Sequence, residues 1–311
     1  MRPRWKKILL ALALIACVGA VRMPVEQRYT AGLREANVLQ KPPGLSLRED
    51  LGQSLFIATL GGFRSPVASI MELRSVTPWM RGNWGVVEEC YAICTKLQPR
   101  EAHYWDQRAW HQACNARDSY LWESTFTQAN REMYAQQSVE NGIRTLKEAV
   151  KWLPDSWKLW ERLAWYSCME YNQRQDHAAA AEAYEKAASI KGAPAAYRRF
   201  VVYQLSYIPE REKEAWDRLM AFYNDPGQRD HMPQVDINLV YLYYQRRIQE
   251  RYPDAVLPRE LARLFEPGAV LDKKEQARRE FLVTGVTRRM NPTGVRGHPP
   301  RIISPHFPAM R

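Results

Sequence analysis

The sequence predicts an all-α fold in which antiparallel helix pairs stack side by side. Apolar residues recur at intervals of three and four along most of the chain, which is the spacing of one face of an α-helix. No stretch alternates apolar and polar residues for long enough to indicate a β-sheet. A pattern of small and large residues also repeats at helical spacing, which indicates several structural units of similar length.

The first 22 residues carry a pattern typical of an export signal. Four basic side chains, Arg2, Arg4, Lys6 and Lys7, precede the apolar run at residues 8–21. A positive segment before an apolar run directs export, and this run is short for a full membrane span. We predict a signal anchor in the inner membrane, with the rest of the chain on the periplasmic side.

Three other fates of this segment stay open. Cleavage after Ala20 would secrete the chain, and lipidation of Cys17 would produce a lipoprotein. The segment could also be a buried helix of a cytosolic protein. The apolar residues that follow Cys17 argue against lipidation, and Arg22 weakens the prediction of orientation.

The distribution of charge argues against a nucleic-acid-binding body. The net charge is +11, but the excess lies in residues 1–22 and 271–311. Residues 23–270 carry equal numbers of acidic and basic side chains. A uniformly basic face for binding phosphates is therefore not predicted. The hydrophobic share of 46% excludes a mainly disordered chain.

Residues 23–81 are predicted to form a helical lead-in to the repeated units. Residues 46–60 and 66–76 show helical spacing of apolar residues, and Gly61 and Gly62 separate the two segments. A phosphate-binding loop at these glycines would require more assumptions than a turn between two helices does.

A repeated helix in residues 82–226 is the strongest signal in the chain. In each copy a compact residue is followed four positions later by a large one, three positions after that by a third residue, and then by a proline. Offsets of four and three keep these side chains on one helical face, and the proline ends the helix. The four copies are Val87, Tyr91, Cys94 and Pro99; Gly142, Leu146, Ala149 and Pro154; Ala180, Tyr184, Ala187 and Pro194; and Ala215, Leu219, Phe222 and Pro226.

Another helix precedes each of the last three copies. Trp157, Trp160 and Leu163 lie on one stripe of a helix that is predicted to begin after Ser156, a favourable N-cap. Residues 104–113 and 194–205 carry similar stripes. Each unit is therefore predicted to be helix, turn, helix.

Trp160, Leu163 and Ala164, followed by the repeated helix that starts at Ala180, resemble the tetratricopeptide repeat. The resemblance implies a right-handed superhelical stack, an α-solenoid, in which first helices line a concave groove. Ala164 replaces the usual glycine, and an insertion at 118–137 lengthens the first unit, so the repeats are degenerate. The whole layout also resembles membrane-anchored bacterial repeat proteins.

The resemblance implies a scaffold that binds a protein or peptide in its groove and mediates complex assembly. It requires no cofactor and no nucleic acid. The predicted groove residues, all on first helices, are Arg108, Gln112, Arg162, Tyr166, Arg198 and Arg199.

Two other functions stay open. An exported helical carbohydrate-active enzyme could use groove aromatics and paired acids, although most rings lie on the stripes predicted to be buried. An RNA-binding protein of the half-tetratricopeptide type would share the Trp and Tyr abundance, but the neutral body and the export signal argue against it.

Enzymatic and metal-binding motifs are not found in the sequence. It lacks the glycine-rich nucleotide-binding loops and the common hydrolase signatures. Cys90, Cys94, His103, His111 and Cys114 are the nearest approach to a zinc site, but Cys94 takes a small-residue position of the repeat, which packing explains. We therefore predict no enzyme, no metal and no cofactor.

Residues 227–283 are predicted to flank and cap the stack. Apolar stripes at 235–243 and 257–264 indicate a further pair of helices, and a charged helix near 271–283 would form a polar cap. Prolines and arginines interleave in residues 284–311, which predicts a disordered basic tail. This tail is either a solvated end or a docking peptide for a partner or an anionic lipid surface.

Overall fold

The chain is an all-α protein in a computed structural model that describes Arg28, Gly32 and residues 62–225 and 233–290. Throughout these described residues the regular structure is helical and none of it is β-strand. The predicted all-α class is therefore confirmed. The apolar run at 8–21 lies outside the described residues, and among the helices that are described none has the length and apolarity to span a bilayer.

The chain divides into two units, residues 1–68 and 69–311. The predicted helix at 46–60 lies outside the described part of the first unit. Helix α1 (Arg64–Met80) begins in the first unit and continues into the second. The contacts that follow all belong to the second unit.

The second unit is a succession of helices joined by short connections. Two π-helical turns interrupt its described residues: His111–Ala116 joins α3 to α4, and Tyr241–Gln245 follows α10. After α1 the helices are α2 (Trp84–Leu97), α3 (Ala102–Trp110), α4 (Arg117–Trp122), α5 (Gln128–Trp152), α6 (Trp157–Cys168), α7 (His177–Ser189), α8 (Ala196–Leu205), α9 (Glu212–Tyr223), α10 (Pro233–Val240), α11 (Ile248–Arg251), α12 (Arg259–Arg263) and α13 (Lys273–Met290).

Neighbours along the chain are neighbours in space. Helix α2 packs on α3, α3 on α5, α5 on α6, and the pattern continues through α7, α8 and α9 to α10. Helix α13 returns to pack on α10, and α3 also contacts α6. One continuous hydrophobic core runs along this series, from Trp105 in α3 to Val286 in α13. Such local packing lets each helix bury its apolar stripe against the next.

The repeated positions of the sequence pattern face this core. Ala149 and Ala187 are fully buried, as is Cys94 at the equivalent position of the first copy. The large residues of the pattern, such as Leu146, are buried beside them, and only Phe222 in the last copy is half-buried. The spacing therefore identified the buried face of α2, α5, α7 and α9.

Two consecutive units share the same hydrogen bond at the turn between their helices. The indole nitrogen of Trp105 donates to the carbonyl oxygen of Pro99 at 2.8 Å, and Trp160 donates to the carbonyl oxygen of Pro154 at 2.8 Å. Each tryptophan thus holds the start of its helix against the preceding turn. Ser156 stands at the N-cap of α6, as predicted, but its side chain makes no capping hydrogen bond.

Gly142 is the point of closest approach between α5 and the segment formed by α3 and its π-turn. A methyl group at this position would lie 2.7 Å from the β-carbon of Ala113 and 3.0 Å from the carbonyl oxygen of Ala109. Neither neighbour is the end of a flexible side chain, so neither can move without moving a helix. The compact residue at the start of this copy is required by packing.

We therefore expect Gly142→Ala to destabilise the protein by about 1–2 kcal/mol, because the strain of overpacking exceeds the gain of about 1 kcal/mol in helix propensity. Gly85→Ala is the matched control, since a methyl group there meets only Asn83 Oδ1 at 3.9 Å. The control is expected to be neutral or slightly stabilising. Urea unfolding of both variants measures the difference, and equal midpoints would contradict the close approach.

The last helix extends past the boundary predicted at 283. Helix α13 continues to Met290, so residues 284–290 do not belong to a tail. Leu282, Val286 and Arg289 share its buried face. The Arg289 guanidinium lies between the rings of Tyr207 and Tyr241, 3.9 Å from each centroid. Residues 291–311, the rest of the predicted tail, lie outside the described residues.

Candidate functional site

A cavity of about 340 Å³ opens between α2, the segment from α3 to α4, and α5. We call it the α2–α5 cavity. Its walls combine aromatic rings with charged and amide side chains, a composition that suits a ligand with both polar and apolar parts. The side chains that carry this character are Trp84, Glu88, Tyr91, Arg108, His111, Gln112, Tyr120, Asn141, Arg144, Thr145 and Glu148.

A hydrogen-bond network joins three sides of this cavity. Glu88 on α2 accepts from Arg108 Nε at 2.9 Å and from Gln112 Nε2 at 2.6 Å. Thr145 on α5 donates to Gln112 Oε1 at 2.8 Å, and Arg108 also donates to Thr95 Oγ1 at 3.2 Å. Charge-assisted bonds of this kind are the stronger ones, so the network holds the polar groups in a fixed arrangement.

His111 contributes an uncharged ring to the cavity at neutral pH. Burial lowers the pKa of His111 to about 4, and the nearby Glu72 opposes that shift only in part. Its Nδ1 lies 3.0 Å from the amide nitrogen of Asn115, and its ring centroid lies 5.1 Å from that of Tyr91. His111 therefore acts as a packed aromatic wall rather than as a cation.

Groups that remain available to a ligand lie around the network. Arg144 and Glu148 are exposed on α5, and neither forms an ion pair with any described residue. The cavity thus offers a positive donor and a negative acceptor beside aromatic walls.

A second cavity of about 260 Å³ lies between α7, α8 and α9, and we call it the α7–α9 cavity. Its lining is mainly apolar and includes Val201, Val202 and Phe222. Two arginines flank it. Arg218 is paired with Glu214 at 2.7 Å, whereas Arg198 is exposed and forms no ion pair with a described residue.

The two cavities occupy equivalent places in the repeated pattern. Each lies between the repeated helix of one predicted unit, which is its second helix, and both helices of the next unit. In the first cavity these are α2, α3 and α5, and in the second they are α7, α8 and α9.

Three of the six predicted groove residues line these cavities. Arg108 and Gln112 form part of the α2–α5 cavity, and Arg198 lines the α7–α9 cavity. Arg162 lies elsewhere, bonded through Nε to Asp106 Oδ1 at 2.9 Å across α6 and α3. Arg199 is half-buried on α8 and lines neither cavity.

Tyr166 does not belong to a groove. Its side chain is fully buried, and the thiol of Cys114 donates to its hydroxyl at 3.9 Å. Burial raises the pKa of Tyr166 far above its usual value, so the phenol stays neutral. Helix α6 packs against α3, α5 and α7, which leaves little of its surface free. The assignment of Tyr166 as a groove residue was wrong for this reason.

The residues of the hydrogen-bond network that were not predicted from the sequence lie on the repeated helices α2 and α5. Glu88 and Thr145 are the partners of Arg108 and Gln112, whereas the predicted groove residues all lie on first helices. Glu88 directly follows Val87, the first position of a copy. Polar residues that adjoin the buried positions of the repeated helices, as Glu88 adjoins Val87, are the sequence feature that could have indicated this network.

Cysteine and histidine side chains that suggested a zinc site are dispersed. His103 bonds Glu72 at 2.6 Å, and burial raises the pKa of Cys94 to about 12, so its thiol stays protonated. Within the described residues no group of three or more His, Cys, Asp or Glu side chains is arranged to hold a metal ion. Comparisons with protein-family models, with curated proteins and with solved structures found no match to this chain.

Proposed function

We propose that this protein is a membrane-associated scaffold that binds a protein or peptide in the α2–α5 cavity and so mediates complex assembly. Its helix pairs would form a tetratricopeptide-like stack with right-handed superhelical curvature. The packing of consecutive helices and the shared bonds of Trp105 and Trp160 support this arrangement. The single observation that carries the binding role is the composition of the α2–α5 cavity.

A polypeptide suits this cavity better than a phosphate-bearing ligand does. Arg108 and Arg144 are balanced by Glu88 and Glu148, so the cavity has no excess of positive charge for a phosphate. A peptide presents alternating donors and acceptors together with apolar side chains. The fixed amide and carboxylate network and the aromatic walls complement both features.

Membrane association is the part of the proposal that rests on the apolar run at residues 8–21. We propose that this run anchors the protein in the inner membrane of a bacterium, with the body in the periplasm. Cleavage near Ala20, or lipidation at Cys17, would give a secreted protein or a lipoprotein instead. A mass measurement of the N-terminal peptide of the isolated protein distinguishes these outcomes.

Arg144→Ala is expected to weaken peptide binding about tenfold, because it removes a charged hydrogen-bond donor from the cavity mouth. The probes are peptides selected against the intact chain from a random-peptide display library. Arg144 is exposed, so the variant is expected to unfold at the wild-type urea concentration. Titration of fluorescent peptides by anisotropy measures the change in Kd.

Lys147→Ala is the matched control for this measurement. Lys147 is an exposed basic residue of the same helix, and it does not line the cavity. Its variant is expected to bind the selected peptides with wild-type affinity. Selection that enriches no peptide, or peptides that bind the Arg144 variant as tightly as the wild type, would refute the binding role of the cavity.

A further inference from the structure

Helix α1 carries apolar side chains on an exposed face as well as on its buried face. Met71 is buried, and Ser75 on the same side of the helix is also buried. The opposite face exposes mainly apolar side chains, with the hydroxyl residues Ser69 and Thr77 among them. Its exposed apolar residues are Ile70 (50% exposed), Leu73 (72%), Val76 (42%), Trp79 (43%) and Met80 (68%).

Helical spacing makes these residues one continuous surface. Successive offsets of three, three and four from Ile70 through Leu73 and Val76 to Met80 keep the side chains on one side of the helix. Trp79 lies at one edge of this surface. We call these five residues the α1 apolar face. An exposed apolar surface of this continuity marks an interaction site rather than ordinary solvent-facing structure.

The charges beside the α1 apolar face differ between its two edges. Arg74 and Arg81 are exposed and lie seven residues apart, along the edge next to Ile70. Glu72, the one acidic residue of α1, lies on the other edge, seven residues before Trp79, and its carboxylate is 2.6 Å from His103 Nε2 on α3. The Trp79 ring contacts His111, with 6.3 Å between the ring centroids. The surface therefore has an apolar centre, one basic edge, and a second edge on which the acidic group is already paired.

This combination matches helices that lie in a membrane interface. Such helices bury an apolar strip at the boundary between headgroups and acyl chains, while arginines reach lipid phosphates and tryptophan occupies the headgroup level. An anionic lipid surface is the favoured occupant because its phosphates complement Arg74 and Arg81 beside the apolar row.

We propose that the α1 apolar face lies on an anionic lipid surface, with Arg74 and Arg81 at the phosphate level and with Leu73 and Met80 in the acyl boundary. The inference rests on the proposed membrane association and adds a second contact to it. This contact does not require residues 8–21. It would hold the body at a defined orientation, because a helix in the interface plane removes the rotation that a single anchor permits.

The test uses the full chain with the apolar run at 8–21 disrupted by Leu12→Glu and Leu14→Glu, which adds no basic charge to the N-terminal segment. This chain is mixed with vesicles of phosphatidylcholine alone or of phosphatidylcholine with phosphatidylglycerol, and bound protein is separated by flotation. It is expected to float with the anionic vesicles and much less with the neutral ones. Adding Leu73→Glu is expected to lower the affinity for anionic vesicles at least about tenfold.

Val270→Glu in the same background is the matched control, since Val270 is 91% exposed and lies outside α1. It is expected to leave flotation unchanged. Leu73 is itself mostly exposed, so its variant is expected to unfold at the same urea concentration as its parent. A parent chain that does not float with anionic vesicles, or a Leu73→Glu chain that floats equally well, overturns the proposal.

Two further measurements separate the lipid contact from self-association and from peptide binding in the α2–α5 cavity. Light scattering reports self-association: a dimer that Leu73→Glu dissociates, with no loss of flotation, would assign the α1 apolar face to a second copy of the chain and overturn the lipid proposal. Binding of the selected peptides is expected to be the same in the Leu73→Glu chain. Failure of flotation with intact peptide binding therefore rejects the lipid contact alone.

Discussion

Replacing Glu212 with alanine is expected to lower the free energy of unfolding by about 3 kcal/mol. Glu212 is the first residue of α9 and only 1% exposed. Its carboxylate is 2.5 Å from Arg246 Nε, and it also pairs with Arg251. Removal leaves two arginines without their shared anion and removes a negative charge from a helix N-terminus.

The expected loss lies at the lower end of the range for a broken buried ion pair. The side chains of Arg246 and Arg251 are 37% and 43% exposed, so both guanidinium groups can regain water when the carboxylate is lost. Urea unfolding followed by circular dichroism measures the effect. The midpoint is expected to fall while the slope stays constant, because the surface exposed on unfolding hardly changes.

Glu214→Ala is the control for burial. Glu214 also belongs to α9 and also pairs with two arginines, Arg211 and Arg218, each at 2.7 Å, but its side chain is 34% exposed. Surface pairs contribute at most about 1 kcal/mol. Equal losses for the two glutamates would mean that burial of Glu212 does not set the strength of its pairs.

The fold could be predicted from the sequence because its core positions follow from local periodicity. Gly142, Leu146 and Ala149 are spaced so that any α-helix places them on one face. The turn residues Pro99 and Pro154 end helices whatever their neighbours are. Neither inference needs information about which helix packs against which.

The cavity could not be predicted in the same way. Glu88 and Gln112 are 24 residues apart, and Gln112 and Thr145 are 33 apart, so their hydrogen bonds depend on how α2 and α5 pack around α3. The π-turn at His111–Ala116 also changes the rotation per residue where Gln112 lies, which a regular helical pattern does not anticipate.

The end of the last helix was misplaced for a related reason. Arginines and prolines near the end of the chain indicate a solvated segment when they are read by composition. Arg289 instead donates to the carbonyl oxygen of Ser206 at 2.7 Å, 83 residues earlier in the chain, and stacks between two tyrosine rings. Such a partner is set by tertiary packing, and it extends α13 past the predicted boundary.

Trp105→Ala is expected to have the largest effect of all, a loss of about 3–5 kcal/mol. The indole is 2% exposed in the core, so truncation leaves a large cavity between α3 and its neighbours. It also removes the donor to the carbonyl oxygen of Pro99. Trp122→Ala is the control, because that side chain is 85% exposed and its loss is expected to change stability by less than about 0.5 kcal/mol.

The hydrogen bond can be separated from the burial by substituting phenylalanine, which keeps most of the ring and removes the N–H donor. Trp105→Phe is expected to lose about 1–3 kcal/mol, because a buried carbonyl loses its partner. Trp160→Phe removes the equivalent bond where the pair is more exposed and water can replace the donor, so a smaller loss is expected. Losses at both positions would support a repeated structural unit, since two turns 55 residues apart would then depend on the same contact. If neither substitution lowers the urea midpoint, the two turns share a sequence pattern but not a stabilising interaction, and the case for equivalent repeats would rest on core packing alone.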